Sequence, residues 1–220
     1  MSSAITPTKA LVRAWKGLGA PEAANHALVT GPHGLDLARA VRDELAPASL
    51  VLVHPDAPPA RSRFETTSAD LSQLSASQPG AFDLIVVGGG LESGDLSTVR
   101  DRVRDVSRLL KPGGVLAAAI DAFAAPDAEQ GSYDHLLFPH LARAGDLGDE
   151  MQTRALLPAS AWRALLQAAG FEITALYGAR GQMLPPDFQT THEARLASYD
   201  GIELAGGALR LIALKTEGPA

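Results

Sequence analysis

The stretch Val-Thr-Gly-Pro-His-Gly-Leu-Asp-Leu-Ala-Arg-Ala-Val, residues 29–41, sets Gly31 and Gly34 between an apolar run and an amphipathic segment. Glycines at such a turn let the backbone approach a ligand closely, which is how strand-to-helix loops cradle nucleotides. The same two glycines also suit a tight turn that a fold needs for itself, so both readings stay open. Further on, Gly88-Gly89-Gly90 ends a second apolar run and clears space where open parallel sheets bind ligands. Proton transfer would fall to Asp121, at the end of the run Val115–Ile120, or to Tyr133, Asp134, His135 and His140 beyond it. A histidine near a substrate hydroxyl suits general-base work because its ordinary pKa lies near neutrality. His135 and His140 are five residues apart and share no helix face well, so no metal site is expected.

These residues need elements to hold them. Apolar runs fall at Ala27–Val29, Leu50–Val53, Leu84–Val87, Val115–Ile120, Phe171–Leu176 and Leu209–Leu214, and longer amphipathic segments separate them. This alternation is the βαβ pattern of a parallel sheet covered on both faces. Leu96, Val99, Val103, Val106, Leu109 and Leu110 recur at helical spacing with Arg and Asp opposite, and Lys111-Pro112-Gly113-Gly114 ends that helix. Pro7–Leu18 reads as a leading helix ended by Gly19; its Trp15 could pack under the sheet or line a pocket. Residues 1–220 read as one domain, with 1–23 as a leading helical segment and 122–149 as an irregular insertion over the carboxyl edge of the sheet. The segment Gln182–Asp200 is compatible with a lid or a homodimer contact.

Composition excludes several classes. The formal net charge is −6, and no basic block tracks a phosphate backbone, so no nucleic-acid partner is expected. There are no cysteines, hence no thiolate metal site and no cysteine nucleophile. The first residues lack a signal-peptide pattern, and no apolar run approaches the roughly 20 residues that span a bilayer. The expectation is a cytoplasmic protein with no membrane association.

In order along the chain, these motifs resemble one known family. Ser107-Arg-Leu-Leu-Lys-Pro-Gly-Gly-Val-Leu116, Phe82-Asp83-Leu84-Ile85-Val86-Val87 and Leu165–Ile173 are similar to the helix, turn and strand signatures of class I, seven-stranded Rossmann-like S-adenosylmethionine-dependent methyltransferases. The resemblance covers roughly Ala24 to Lys215. It implies an α/β fold: a doubly wound, mostly parallel seven-stranded sheet with helices on both faces, in the order 3-2-1-4-5-7-6 with the last strand antiparallel. The Thr30-Gly31 turn also echoes short-chain dehydrogenases, which need a Tyr-x-x-x-Lys pair. Here Tyr133, Tyr177 and Tyr199 are followed four residues later by Leu137, Gly181 and Glu203.

The methyltransferase resemblance implies S-adenosylmethionine as cofactor and methyl transfer to an oxygen or nitrogen of a small molecule. Gly31, Gly34 and Gly88 would border the cofactor, Asp56 would take the ribose hydroxyls, and Asp70 stands where the family places the acid that accepts from the adenine amino group. Asp121 or His140 would serve the substrate side. The first loop departs from the family pattern: Thr30 stands where an acid is expected, His33 replaces a glycine, and His54 replaces the ribose-binding acid. Those three replacements imply an alternative, a catalytically inactive methyltransferase-like protein that serves as an interaction or scaffolding subunit for a protein partner.

Overall fold

The computed structural model describes residues 7–21, 24–32, 34–53, 64–121, 157–180, 186–197 and 207–217. Seven strands form one sheet: β1 (His26–Thr30), β2 (Ser49–Val53), β3 (Glu65–Thr67), β4 (Phe82–Val87), β5 (Leu110–Asp121), β6 (Phe171–Arg180) and β7 (Gly207–Lys215). Their order is β3-β2-β1-β4-β5-β7-β6. All neighbours pair in parallel except β7, which runs antiparallel to both β5 and β6. This is the order and the reversal that the family resemblance implies.

The near-continuous apolar runs follow from burial on both faces. Successive side chains of a strand point to opposite sides. Ala27 and Val29 therefore enter the layer under α1 (Pro7–Gly17) and α2 (Gly34–Leu45), while Leu28 enters the layer under α3 (Leu71–Ser77), α4 (Leu96–Leu109) and α5 (Ala159–Ala168). Ala117 and Ala119 continue the first layer; Leu116, Ala118 and Ile120 continue the second. Two short helices, α6 (Pro186–Thr191) and α7 (Glu193–Leu196), precede β7.

Trp15 settles under the sheet. It is 1% exposed, among Val12, Ala27, Val29 and Val41, and it does not reach the cleft described below. Two ion pairs, Lys9–Asp43 at 2.7 Å and Arg13–Glu44 at 2.8 Å, tie α1 to α2. Trp162 and Phe171 are buried in the opposite layer.

The stripe on α4 is narrower than its spacing suggests. Val99, Val103, Val106 and Leu109 are buried, but Leu96 is 54% exposed in the first turn. Leu110 has left the helix: it caps the carboxyl end and pairs with Phe82 as the first residue of β5. Between that pair and Leu84↔Val115 the register shifts, because Lys111-Pro112-Gly113-Gly114 bulges out of the ladder. Asp83 holds the bulge: its Oδ1 accepts from Lys111 Nζ at 2.9 Å, and its Oδ2 accepts from His26 N at 2.9 Å. This fastens the amino ends of β1, β4 and β5 and leaves their carboxyl ends free to shape a site.

No apolar run marks β3. Glu65, Thr66 and Thr67 form a short polar edge strand beside β2. Edge strands with one open side are often polar and short, which hides them from a search for apolar runs. The expected insertion at 122–149 lies outside the described residues. No helix among the described residues is long and apolar enough to cross a membrane.

Candidate functional site

A cleft of about 660 Å³ opens at the carboxyl ends of β1, β2 and β4. Chain direction puts it there: after β1 the chain crosses to β2 on one side, and β4 lies on the other. The loops therefore part at the β1/β4 boundary, and a crevice forms outside the strand ends.

Thr30, Gly31 and Pro32 contribute one wall. Gly31 has φ +125°, a conformation that strains any residue with a side chain. A Cβ there would stand 3.0 Å from the Gly88 nitrogen and 3.1 Å from the Gly89 oxygen. Gly88 N in turn donates to the Thr30 carbonyl at 2.9 Å. The loops after β1 and β4 thus meet backbone to backbone and make the floor. Gly34 N donates to the Gly31 carbonyl at 2.9 Å and closes the turn into α2.

Two of the expected ligand glycines sit behind that floor. Gly34 and Gly88 do not line the cleft. A Cβ on Gly34 would meet Leu52 Cδ1 at 2.9 Å, and one on Gly88 would meet Leu37 Cδ2 at 2.6 Å. Their physical reason is close packing of α2 on the sheet. Gly89 and Gly90, the next two residues of the triplet, are the ones exposed to the cleft.

Asp70 lines the cleft beside Ser68, Leu71 and Ser72. It is also the N-cap of α3: Oδ1 accepts from Gln73 N at 2.8 Å and from Ser72 Oγ at 2.8 Å, while Gln73 Oε1 accepts from Asp70 N. These bonds, that from Gln73 N first, hold the Asp70 carboxyl below the usual carboxylate range. Both side-chain bonds fall on Oδ1.

The far wall is one face of α4. Thr98, Asp101, Arg102 and Asp105 line the cleft, with Thr98 and Arg102, and Asp101 and Asp105, each four residues apart. Asp105 is 9% exposed and accepts from Ser75 Oγ at 2.7 Å. Arg102 Nη1 donates to the carbonyls of Gly90, at 3.1 Å, and Ser93, stapling the loop after β4. Sequence reasoning missed this wall, although its signal was present: the polar side of α4 carries the same helical period as its apolar stripe.

Asp70, Asp101, Asp105 and Arg102 are the charged residues of the lining; Asp101 also pairs with Arg104 at 3.4 Å and Asp105 with Arg108 at 3.7 Å, which leaves Asp70 as the lining carboxylate with no ion pair among the described residues. Val53, Val87, Leu71 and Leu91 supply apolar surface. A space of this size with apolar walls and a few polar groups suits a small ligand.

Of the expected substrate-side residues, Asp121 is the last residue of β5 and pairs with Ala208. Asp56 and His140 lie outside the described residues, as do His33, His54, Tyr133, Asp134 and His135. No group of three or more His, Asp or Glu able to hold a metal occurs among the described residues.

No family model matches the chain, and no curated protein matches it. Solved structures do. The Burkholderia thailandensis 1,6-didemethyltoxoflavin-N1-methyltransferase, with bound 1,6-didemethyltoxoflavin and S-adenosylhomocysteine, is 18% identical; the match covers 98% of this chain and 79% of that one, with a TM-score of 0.58. The N-methyltransferase NodS of Bradyrhizobium japonicum WM9 is 18% identical over 96% of this chain and 94% of its own, with a TM-score of 0.55. A Haloferax volcanii complex with the Trm112 methyltransferase activator contains a chain that is 13% identical, with 97% and 94% covered and a TM-score of 0.59. With the strand order and the reversed β7, these likenesses show that this chain has the seven-stranded, Rossmann-like fold of class I S-adenosylmethionine-dependent methyltransferases.

Proposed function

We propose that this protein binds S-adenosylmethionine in the β1/β4 cleft and transfers its methyl group to an oxygen or nitrogen of a small molecule. The observation that carries the reading is the cleft itself: adenosyl-sized, at the topological switch point, with apolar walls and the Asp70 carboxylate among its lining. Thr30 takes the place of the acid that the family resemblance leads one to expect, and Asp70 is the lining carboxylate with no ion pair among the described residues.

In this reading Asp70 accepts a hydrogen bond from the adenine amino group through Oδ2, while Oδ1 stays with the α3 cap. Val53, Leu71 and Leu91 shield the adenine faces. Asp56, three residues beyond Val53, takes the ribose hydroxyls. Gly31 and Gly89 keep the floor free of side chains. The cofactor supplies an activated methyl group. The chain's own work is to align a substrate oxygen or nitrogen with that methyl, within about 3–3.5 Å, and to exclude water. Asp121, at the carboxyl end of β5, or His140 accepts the substrate proton.

Calorimetry with S-adenosylhomocysteine tests the reading. Micromolar binding that weakens at least tenfold, about 1.4 kcal/mol, in Asp70→Ser supports it, because Ser keeps the cap and removes the acid. No heat at millimolar ligand overturns it and leaves the interaction-subunit reading. In an active preparation, Asp121→Asn or His140→Ala lowers kcat without changing that affinity.

A further inference from the structure

Outside the cleft, β6 and β7 bring a second pair of polar groups onto a buried face. Ala175 and Ile212 are cross-strand partners in the layer under α1 and α2. Two residues along, Tyr177 and Arg210 are also partners, so they stand side by side on that same face. The Tyr177 hydroxyl oxygen is buried, with no hydrogen-bond partner among the described residues. Arg210 is partly buried and makes no ion pair among the described residues.

Neither group finds its complement in the ladder. The β5 partner of Arg210 is Ala119, and the next pairs along are Gly178↔Leu209 and Ala179↔Ala208. A guanidinium offers only donors, and a phenol with no partner has a donor to give. Burial holds the Tyr177 hydroxyl above its ordinary pKa and the Arg210 guanidinium below its own, with desolvation the larger cause in both. A half-buried cation with no ion pair among the described residues, beside a buried hydroxyl with no partner, leaves an anionic acceptor that meets both to supply what each lacks.

The position is also informative. Ala118 pairs with Val87, so Ala119 and Arg210 lie on the next transverse row, level with Gly88. Two strand spacings, about 10 Å, separate Arg210 from Gly88. The pair therefore stands at the sheet edge where the cleft opens, but on the α1/α2 face.

We propose that Tyr177 and Arg210 form a binding site for an oxyanion, the carboxylate or phosphate of a small-molecule ligand, with the guanidinium neutralising the charge and the phenol donating to a second oxygen. The site does not depend on what the cleft holds. If the cleft reading also stands, the acceptor molecule is an acid.

Thermal unfolding of the full chain, without cofactor, tests this with benzoate and with inorganic phosphate against chloride at equal ionic strength. One of the two anions raises the wild-type Tm in a saturable way, and which one does so identifies the group recognised. Arg210→Gln abolishes the shift, and Tyr177→Phe, which keeps the ring, weakens apparent binding about fivefold, the loss of one neutral hydrogen bond. Without ligand, Arg210→Gln leaves Tm unchanged or raises it, since a partly desolvated charge is removed and no ion pair among the described residues is lost. The proposal is overturned if neither anion raises the wild-type Tm, or if both variants respond as the wild type does. It is equally overturned if Arg210→Gln lowers the ligand-free Tm, because a carboxylate of this chain would then already pair with Arg210.

Discussion

Gly31 and Gly88 lie backbone against backbone: a Cβ on Gly31 would stand 3.0 Å from the Gly88 nitrogen and 3.1 Å from the Gly88 carbonyl carbon. The loops after β1 and β4 are thereby welded, and the cleft has a fixed floor. Gly31→Ala must absorb both a φ of +125° and a clash with main chain that cannot rotate away. The dihedral alone costs about 1–3 kcal/mol. Gly80→Ala, at φ +65° with nothing within 4 Å of its Cβ, isolates a milder left-handed penalty of about 1 kcal/mol. Urea denaturation should show a clearly larger loss for Gly31→Ala; equal losses would mean that the Gly31–Gly88 packing does not matter.

Gly88 tells a different story, because its Cβ would meet a side chain, Leu37 Cδ2 at 2.6 Å. Overpacking there is expected to cost about 1–3 kcal/mol. Trimming the neighbour relieves it, so the Gly88→Ala/Leu37→Ala double variant should lose clearly less than the sum of the two single losses. Additive losses would show that Leu37 is not what Gly88 accommodates.

Asp70 caps α3 and also lines the cleft, and two substitutions test these places apart. Removing the cap with Asp70→Ala should cost about 0.5–2 kcal/mol of stability, whereas Asp70→Ser should keep most of it. Both variants lose the carboxylate in the cleft. If S-adenosylhomocysteine binds the wild type and Asp70→Ser binds it equally well, Asp70 is a cap and nothing more.

Asp95 governs a pH dependence. As N-cap of α4 it accepts from Thr98 Oγ1 at 2.7 Å, Thr98 N at 2.8 Å and Ser97 Oγ at 2.9 Å. Those bonds, led by the Thr98 hydroxyl, lower its pKa from 3.8 to about 2. Folding favours the charged form, so its contribution is complete above the unfolded-state pKa and disappears as pH falls through about 2. The Tm gap between the wild type and Asp95→Asn should be constant above about pH 5 and narrow toward pH 2. A gap that is the same at both ends would remove Asp95 from the acid response.

Asp83 joins two strands to the bulge through separate oxygens. Asp83→Asn keeps an acceptor for His26 N and loses only the partly exposed ion pair with Lys111, an expected cost of about 0.2–1 kcal/mol. Asp83→Ala also removes the acceptor of the exposed His26 amide, which water can then take over, and chemical denaturation should place it about 0.5 kcal/mol below Asp83→Asn.

The sequence by itself determined where the apolar strands fall, which motifs follow one another and where α4 runs. These are local properties: a strand covered on both faces reads as an unbroken apolar run, and an amphipathic helix repeats every three or four residues. Lys111-Pro112-Gly113-Gly114 marked the junction of α4 with β5 for the same reason, since proline and glycine act on their own backbone. Only the tertiary structure decided which polar residues share a space. The helical period of α4 marked Thr98, Asp101, Arg102 and Asp105 as lying off its apolar stripe, but that they line the cleft was decided by how α4 packs against the rest of the fold. Gly34 and Gly88 resemble ligand glycines in sequence but serve Leu52 and Leu37, neighbours brought to them by the packing of α2 on the sheet. Tyr177 and Arg210 are 33 residues apart and meet through the antiparallel register of β6 and β7, which is set by cross-strand hydrogen bonding between distant segments.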